Sequence, residues 1–393
     1  MDDILKIEAG GEGERFARFG LIGWWDQRRL SDARVLLVGV GAIGNEILKN
    51  LALLGVGRVF AADLDLIEAS NLSRSVLFRP EDCGRPKVEA AAARAAEIYP
   101  GIKVRPFRGN IVYDLGLGVY GWADVILGGL DNREARVAIN AAAAKVGKPW
   151  IDGAIERLDG VARVFDPAVG PCYECTMGEA DWKMLEARRS CALLTRAEME
   201  QGKVPTTPTT ASVIAGIQTQ EAVKLLHGLE TLSGQGYVFE GMHHQSYLVH
   251  YTRDDDCPAH DPFEPVVVLP WRAATTRVGD LLERVRSDLG AGAVFETNQE
   301  LLASLRCERC REEVPLLTSL GKVTEAQGRC PRCGEPRAPR LYHTLDGQDP
   351  ALADRSLAEL GIPPWDILGG RLGRERCYYE FGGDRDDVLG TLA

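Results

Sequence analysis

The passage from strand to helix between Val35 and Leu54 constrains the fold most. A short apolar run, Val35-Leu-Leu-Val38, ends in Gly39-Val-Gly41-Ala-Ile-Gly44. A helical period follows, with Ile43, Ile47, Leu48 and Leu51 on one side. A run that is short, apolar and bounded by glycine reads as a strand buried on both faces. Gly39 suits a tight turn, Gly41 lets a phosphate approach the backbone, and Gly44 lets the helix pack on the strand. The free N–H groups of the helix would face an anion. The pattern repeats. Strands are expected at 58–63, near 103–107, at 124–127 and at 149–152, with helices at 85–99 and 132–147 between them. Such alternation predicts an α/β fold with a doubly wound, mostly parallel sheet.

The pattern changes after that. Val161 to Phe165 alternates as an antiparallel strand does, 176–208 has no clear period, 209–228 is a strong helix, and strands recur around 236–251. Residues 254–265 read as a linker. They separate a first unit, 1–265, from a second, 266–393. The second is α+β: a strand at Val266–Leu269, a helix over 276–289 with apolar residues at 278, 281, 282, 285 and 289, and a last strand at Tyr378–Phe381. Another amphipathic helix is expected over 12–30, with Phe16, Phe19, Leu21 and Ile22 apolar and Arg15, Arg18, Arg28 and Arg29 charged. The net charge of −11 argues against a nucleic-acid partner or an anionic membrane surface. No stretch is long and apolar enough to span a bilayer, and the start lacks a basic segment followed by an apolar one. A cytoplasmic protein is expected, with its ten cysteines serving as thiols and metal ligands rather than as disulfides.

The glycine turn alone is ambiguous. Asp63, at the end of the second strand, would accept ribose hydroxyls in a NAD(P)-dependent oxidoreductase as well as in an ATP-using enzyme. The residues that follow separate the two. Asp65, Asn71 and Arg74 lie just past that strand, Lys87 opens a helix, and Asp131 follows the 124–127 strand. All fall at the carboxyl edge of the sheet, where doubly wound folds bind ligands. Two cations and an acid there suit a triphosphate with Mg²⁺. A dehydrogenase has no use for them. The plain alternative is that Arg74 and Lys87 are solvated charges and Asp131 a turn former.

Arg15-Phe-Ala-Arg18, Gly39 to Gly44, Asp63-Leu-Asp-Leu-Ile-Glu-Ala-Ser-Asn-Leu-Ser-Arg74, Gly84-Arg-Pro-Lys87 and Asp131-Asn132 together resemble the Rossmann-like adenylation domain of ubiquitin-activating enzymes. The same domain occurs in the bacterial adenylyltransferases of thiamine and molybdopterin synthesis. The resemblance covers roughly residues 12–260. It implies that Asp63 binds ribose, that Asn71, Arg74 and Lys87 contact the phosphates of ATP, and that Asp131 holds Mg²⁺. Arg18 would reach into the partner's site of a homodimer. Val40-Gly41-Ala42 departs from the second consecutive glycine of many members. The implied reaction is attack by the C-terminal carboxylate of a ubiquitin-like protein on the α-phosphate of ATP.

The cysteines fall into sets. Cys172 and Cys175 form a C-x-x-C, and Cys257 with His260 offers two further soft ligands. Together they make a Cys₃His set for structural Zn²⁺. The resembling family usually has four cysteines, so His260 is a departure. A redox pair or unpaired thiols are the alternatives. Cys307, Cys310, Cys330 and Cys333 show two C-x-x-C pairs nineteen residues apart, a zinc-ribbon spacing that places an insertion at about 305–335. Cys83, Cys191 and Cys377 remain. Cys191 lies in the aperiodic 176–208 stretch, where conjugation-type activating enzymes carry their thioester cysteine. Val204 to Gln218 resembles their sequence. Arg188, Arg189 and Arg196 would favour the thiolate. A buried apolar thiol is the other reading.

The second unit resembles a β-grasp (ubiquitin-like) domain holding a zinc ribbon. Conjugation-type enzymes recruit their conjugating enzyme through such a domain, and a stabilising or dimerisation role is the alternative. The expected function is activation of a ubiquitin-like protein, thioester formation on Cys191 and hand-off to a conjugating enzyme. The rivals are an adenylyltransferase for a sulfur-carrier protein that forms no thioester, a NAD(P)-dependent oxidoreductase, and an inactive scaffold subunit.

Overall fold

A computed structural model gives the fold and describes residues 15–183 and 205–393. The first unit contains α1 (Gln27–Asp32), β1 (Arg34–Val38), α2 (Ala42–Leu54), β2 (Arg58–Asp63), α3 (Lys87–Ile98), β3 (Lys103–Arg108), α4 (Leu117–Trp122), β4 (Val125–Gly128), α5 (Arg133–Lys145), β5 (Trp150–Glu156), β6 (Asp159–Phe165), α6 (Pro208–His227), β7 (Gln235–Glu240) and β8 (Gln245–His250). Among the described residues these strands form one sheet in the order β3-β2-β1-β4-β5-β6-β7-β8. The β1–β5 pairings are parallel and those from β5 to β8 antiparallel. The chain runs outward from β1 through β2 to β3, then returns to β4 on the other side of β1. This reversal opens a crevice beyond the carboxyl ends of β1 and β4.

The two faces of this sheet are closed differently. Val35 and Leu37 of β1, with Val59 and Ala61 of β2, pack under α2, α3 and α6. Leu36 and Val38, with Phe60 and Ala62, face a second core containing Val119 of α4 and Ile139 of α5. That core also takes in Trp365, Ile367, Tyr378, Leu389 and Leu392 of the C-terminal unit.

The second sheet uses β9 (Val266–Leu269), β10 (Val294–Arg306), β11 (Glu313–Ser319), β12 (Ala338–Leu345), β13 (Ile367–Leu372) and β14 (Glu375–Phe381), with α7 (Val278–Leu289) against it. The order is β11-β10-β13-β14-β9, with β12 also paired to β10. Its first strand, β9, runs parallel to its last, β14, and the other pairings are antiparallel. Strand β10 is shared. Its start pairs with β13 and its end with β11, while β12 runs along both parts across an irregularity between Glu296 and Leu301.

The units interlock. The Trp365 ring occupies the space a Cβ on Gly118 would need, and Gly118 donates to the Trp365 carbonyl at 2.9 Å. Asp366, buried, accepts from the Leu117 N–H at 3.0 Å and from Asn298 Nδ2 at 3.2 Å. Asn298 Oδ1 accepts from Lys145 Nζ at 3.0 Å. Burial pushes the Asp366 carboxyl up and the Lys145 ammonium down.

The helix expected over 12–30 is divided. A 3₁₀ turn covers Phe19–Leu21, and α1 starts anew at Gln27 because Asp26 accepts from the Arg28 N–H. Phe16, Phe19 and Trp25 pack on one another and on Tyr99 and His227 instead of lining one helix face. Among the described residues no helix is long and apolar enough to cross a membrane.

Candidate nucleotide site and metal centres

Gly39 follows β1 with φ +85°, a conformation side chains avoid, and a Cβ there would meet the Gly129 carbonyl. A Cβ on Gly44 would run into the Gly39 carbonyl. These two glycines therefore press the turn against β4 and α2 against the turn. Gly41, at the N-cap of α2, has nothing within 4 Å of its Cβ position, which leaves the approach to the helix N-terminus open.

Asp63, at the carboxyl end of β2, anchors this turn. Its Oδ2 accepts from the Val40 N–H at 2.7 Å and its Oδ1 from the Asp65 N–H at 2.8 Å. Each oxygen keeps a second lone pair for a hydroxyl donor. Burial raises the Asp63 pKa, against the pull of Lys87 and of the two N–H groups. Lys87 opens α3, its side chain only 10% exposed, and Nζ donates to Asp65 Oδ2 at 2.7 Å. Burial works against the Lys87 charge, but Asp63, Asp65 and Asp131 outweigh it and hold its pKa above the ordinary lysine value. Asp65 is thus ion-paired to this nearly buried ammonium, and the charges of Asp63 and Asp131 favour it as well.

Asp131 is exposed just beyond β4, and Asn132 caps α5 by accepting from the Ala135 N–H at 2.8 Å. One hard carboxylate at an open edge suits Mg²⁺, which takes one or two carboxylates together with substrate phosphates. Asn71 and Arg74 sit on a loop after β2. Asn71 Oδ1 accepts from the Glu68 N–H at 2.9 Å, and Arg74 Nη1 donates to the Ser70 carbonyl at 2.9 Å. Both thus hold their own loop.

Arg18 lies elsewhere. It is exposed, three residues from Arg15, whose guanidinium donates to the Ile98 carbonyl at the far end of α3. Eleven residues of helix, about 17 Å, separate Ile98 from Lys87. Among the described residues no contact brings Arg18 to Asp63, Lys87 or Asp131. Cys191 lies outside the described residues.

Two groupings went unread in the sequence. Buried Asn45 donates to the carbonyls of Val40 at 2.7 Å and Gly41 at 3.0 Å, and accepts from the Leu77 N–H at 2.9 Å. It ties the glycine turn to the loop carrying Arg74. Asp152, fully buried on β5, binds Arg136 Nε at 2.8 Å and Arg163 Nε at 3.0 Å. Burial opposes its charge, yet the two guanidiniums hold its carboxyl below the ordinary range. A carboxylate inside the apolar run Trp150-Ile-Asp152 was the available signal.

Among the described residues, two groups of soft ligands converge, each with all donor atoms within 4.8 Å of one another: Cys172, Cys175, Cys257 and His260, then Cys307, Cys310, Cys330 and Cys333. Cys172 lies 3.7 Å from both Cys175 and Cys257, and Cys307 lies 3.6 Å from Cys333. A tetrahedron with Zn–S near 2.3 Å has S···S edges of about 3.75 Å, whereas a disulfide would need about 2.05 Å. Cys175 and His260 Nε2 are 3.3 Å apart. Both groups could hold zinc. The second is built from matching knuckles. Cys307 and Cys330 each accept a backbone N–H with their carbonyls, from Arg311 at 2.7 Å and Gly334 at 2.8 Å, and both of these donors have left-handed φ. The first group joins the segment after β6 to the linker before β9.

The ThiF family model matches residues 14–259. The SAMP-activating enzyme E1 of Haloferax volcanii is 33% identical over 263 residues, which cover 65% of this chain and 85% of that protein. The sulfur carrier protein adenylyltransferase of Thermus thermophilus is 31% identical over 243 residues, covering 60% and 85%. The NEDD8-activating enzyme E1 catalytic subunit of Arabidopsis thaliana is 40% identical over 157 residues, covering 37% and 34%. Among solved structures, E. coli MccB with ATP shares the fold at a TM-score of 0.53 and 20% identity, covering 66% of this chain and 75% of that one.

Proposed function

Because the chain belongs to the ThiF family of adenylyltransferases, we propose that it adenylates the C-terminal carboxylate of a small carrier protein, and that this carrier is of the sulfur-carrier type. The observation that carries the reading is Lys87, nearly buried and ion-paired at 2.7 Å to Asp65, next to the Asp63 carboxylate that anchors an open glycine turn. Support for the sulfur carrier comes from two sulfur-carrier adenylyltransferases that the chain spans almost in full, as it also does the SAMP-activating enzyme E1. The chain covers 85% of the Thermus thermophilus sulfur carrier protein adenylyltransferase and 87% of the E. coli sulfur carrier protein ThiS adenylyltransferase.

In this reading ATP lies along the crevice, with its ribose on Asp63 and its phosphates over the Gly41 turn, near Asn71, Arg74 and Lys87. A carboxylate oxygen of the carrier attacks the α-phosphorus. The new acyl–phosphate bond forms as the α–β anhydride bond breaks, and pyrophosphate leaves. Both reactants are anions, so preorganised cations at the α-phosphate lower the barrier. Asp131 would hold Mg²⁺, which neutralises charge on the phosphates. Arg18, exposed on the surface, would serve the site of a second copy in a homodimer, as the family resemblance implies. We place the enzyme in the cytoplasm, where its cysteines stay reduced.

Lys87→Ala should reduce carrier-dependent ATP–pyrophosphate exchange by about 10²–10³-fold, the scale for losing one preorganised electrostatic contact. Near-normal exchange would refute the assignment.

A second reading has its own observation. Cys191 and the segment to Gln218 resemble conjugation-type enzymes, and the NEDD8-activating relative has the higher identity, 40%. Here the carrier is ubiquitin-like, its acyl group passes from AMP to the Cys191 thiolate, and residues 266–393 recruit a conjugating enzyme. Non-reducing gels of wild type and Cys191→Ala with ATP, Mg²⁺ and carrier separate the two. A thiol-sensitive adduct lost in the variant selects the thioester route. Pyrophosphate release without an adduct selects the sulfur-carrier route.

A further inference from the structure

The Asp131 loop is fixed from both sides. After it, Asn132 caps α5. Before it, the Leu130 carbonyl accepts from Arg136 Nη2 at 2.6 Å. The same nitrogen donates to the Gly153 carbonyl at 3.0 Å, and Arg136 Nε binds Asp152 at 2.8 Å. One guanidinium therefore joins the loop after β4, one residue short of Asp131, to the middle of β5. This joint is locked in turn. Arg163 holds the other oxygen of Asp152 and lies over the Tyr173 ring, 4.9 Å from its centroid. Tyr173 follows Cys172 of the first metal group, and its N–H donates to Asn140 Oδ1 at 2.9 Å. Arg136 and Asn140 are four residues apart, so one face of α5 carries both attachments.

Buried charges held this tightly are costly unless fully paired. Gln218 shares the site, donating to the Gly128 and Ile151 carbonyls at 2.8 and 3.2 Å. Four side chains from four elements, α5, β5, β6 and α6, thus converge on β5 and the end of β4. Arg136, Asp152 and Gln218 are buried, and the Arg163 side chain is 14% exposed. Their effect falls on the backbone that aims Asp131.

We propose that Arg136, locked by Asp152 and Arg163, is a positioning residue for the divalent cation that Asp131 would hold with ATP. The inference rests on the nucleotide-site reading above. Loss of an interaction that orients a ligand residue typically weakens metal binding by about 10–100-fold.

The test is Mn²⁺ titration of the full-length protein with ATP, followed by electron paramagnetic resonance, on wild type and on Arg136→Lys, Arg163→Gln and Asp131→Asn. ATP binding in EDTA is measured in parallel. The expected result is at least tenfold weaker Mn²⁺ binding in Arg136→Lys, a smaller loss in Arg163→Gln, and unchanged metal-free ATP binding in both. Unchanged Mn²⁺ affinity in folded Arg136→Lys overturns the proposal. So does an equal loss of metal-free ATP binding, which would mark a merely structural role. If Arg136→Lys does not fold, Arg163→Gln decides: weakened Mn²⁺ binding supports the proposal and wild-type affinity overturns it. If Asp131→Asn binds Mn²⁺ as wild type does, the cation reading itself has failed, and the positioning role falls with it.

Discussion

The two faces of the eight-stranded sheet solve the same burial problem with different parts of the chain. One is closed by α2, α3 and α6 of the same unit. The other is closed by α4 and α5 and then by Trp365, Ile367, Tyr378, Leu389 and Leu392 from the C-terminal unit. The first face would survive removal of the second unit and the other would not. The C-terminal unit is thus a wall of the nucleotide-binding domain, whatever else it recruits. Even the N-terminus of α4 is capped from there, by Asp366, 249 residues away.

The largest effect should come from truncation after residue 265. Five large apolar side chains leave the second core, each worth about 1.5–3 kcal/mol when buried, against a net stability of about 5–15 kcal/mol. Expression and circular dichroism should find little folded protein. A truncated chain that melts cooperatively at the wild-type temperature would break the comparison. Trp365→Ala is the milder form, expected to cost about 3–5 kcal/mol in urea unfolding. A cost below about 1 kcal/mol would show that the interface is not part of the core.

Next come the metal groups. Cys172→Ser should lower the main melting transition, because that group ties the linker to β6 and its loop to α5. Cys307→Ser should remove one of two zinc equivalents and loosen β11 and β12 with little change in that transition. Equal shifts in the two variants would erase the distinction.

The smallest effect is with pH. The folded Asp152 pKa lies below that of an unfolded aspartate, about 3.9. Its contribution is therefore fully present above that value and lost as pH falls through the folded one. Arg163→Gln removes one guanidinium and brings the two values closer. Stability of the variant should fall less steeply on acidification below about pH 4. Parallel slopes would contradict the pairing.

The elements around the glycine turn are legible because local signals decide them. Ala42–Leu54 and Arg58–Asp63 appear where the apolar periods place them, since Gly41 and Gly55 bound the helix and Gly57 precedes the strand. Lys87 and Asp131 could be read because a parallel sheet sends its carboxyl ends to one edge. Helix α4 could not. Its sequence, Leu117-Gly-Val-Tyr-Gly-Trp122, has no helical period, and its cap comes from the other unit. Asn45 and Asp152 were hidden for a similar reason: the groups they satisfy, Leu77 and the arginines, lie in other elements.

The central claim is that this crevice activates a carboxylate. The most direct test is ATP–pyrophosphate exchange by the full-length protein with a carrier bearing either a free C-terminal carboxylate or the matching carboxamide. Exchange is expected with the carboxylate and none with the amide, because a neutral amide is a far weaker nucleophile toward the α-phosphorus than an ionised carboxylate. Equal exchange with both, or exchange without any carrier, would contradict the claim.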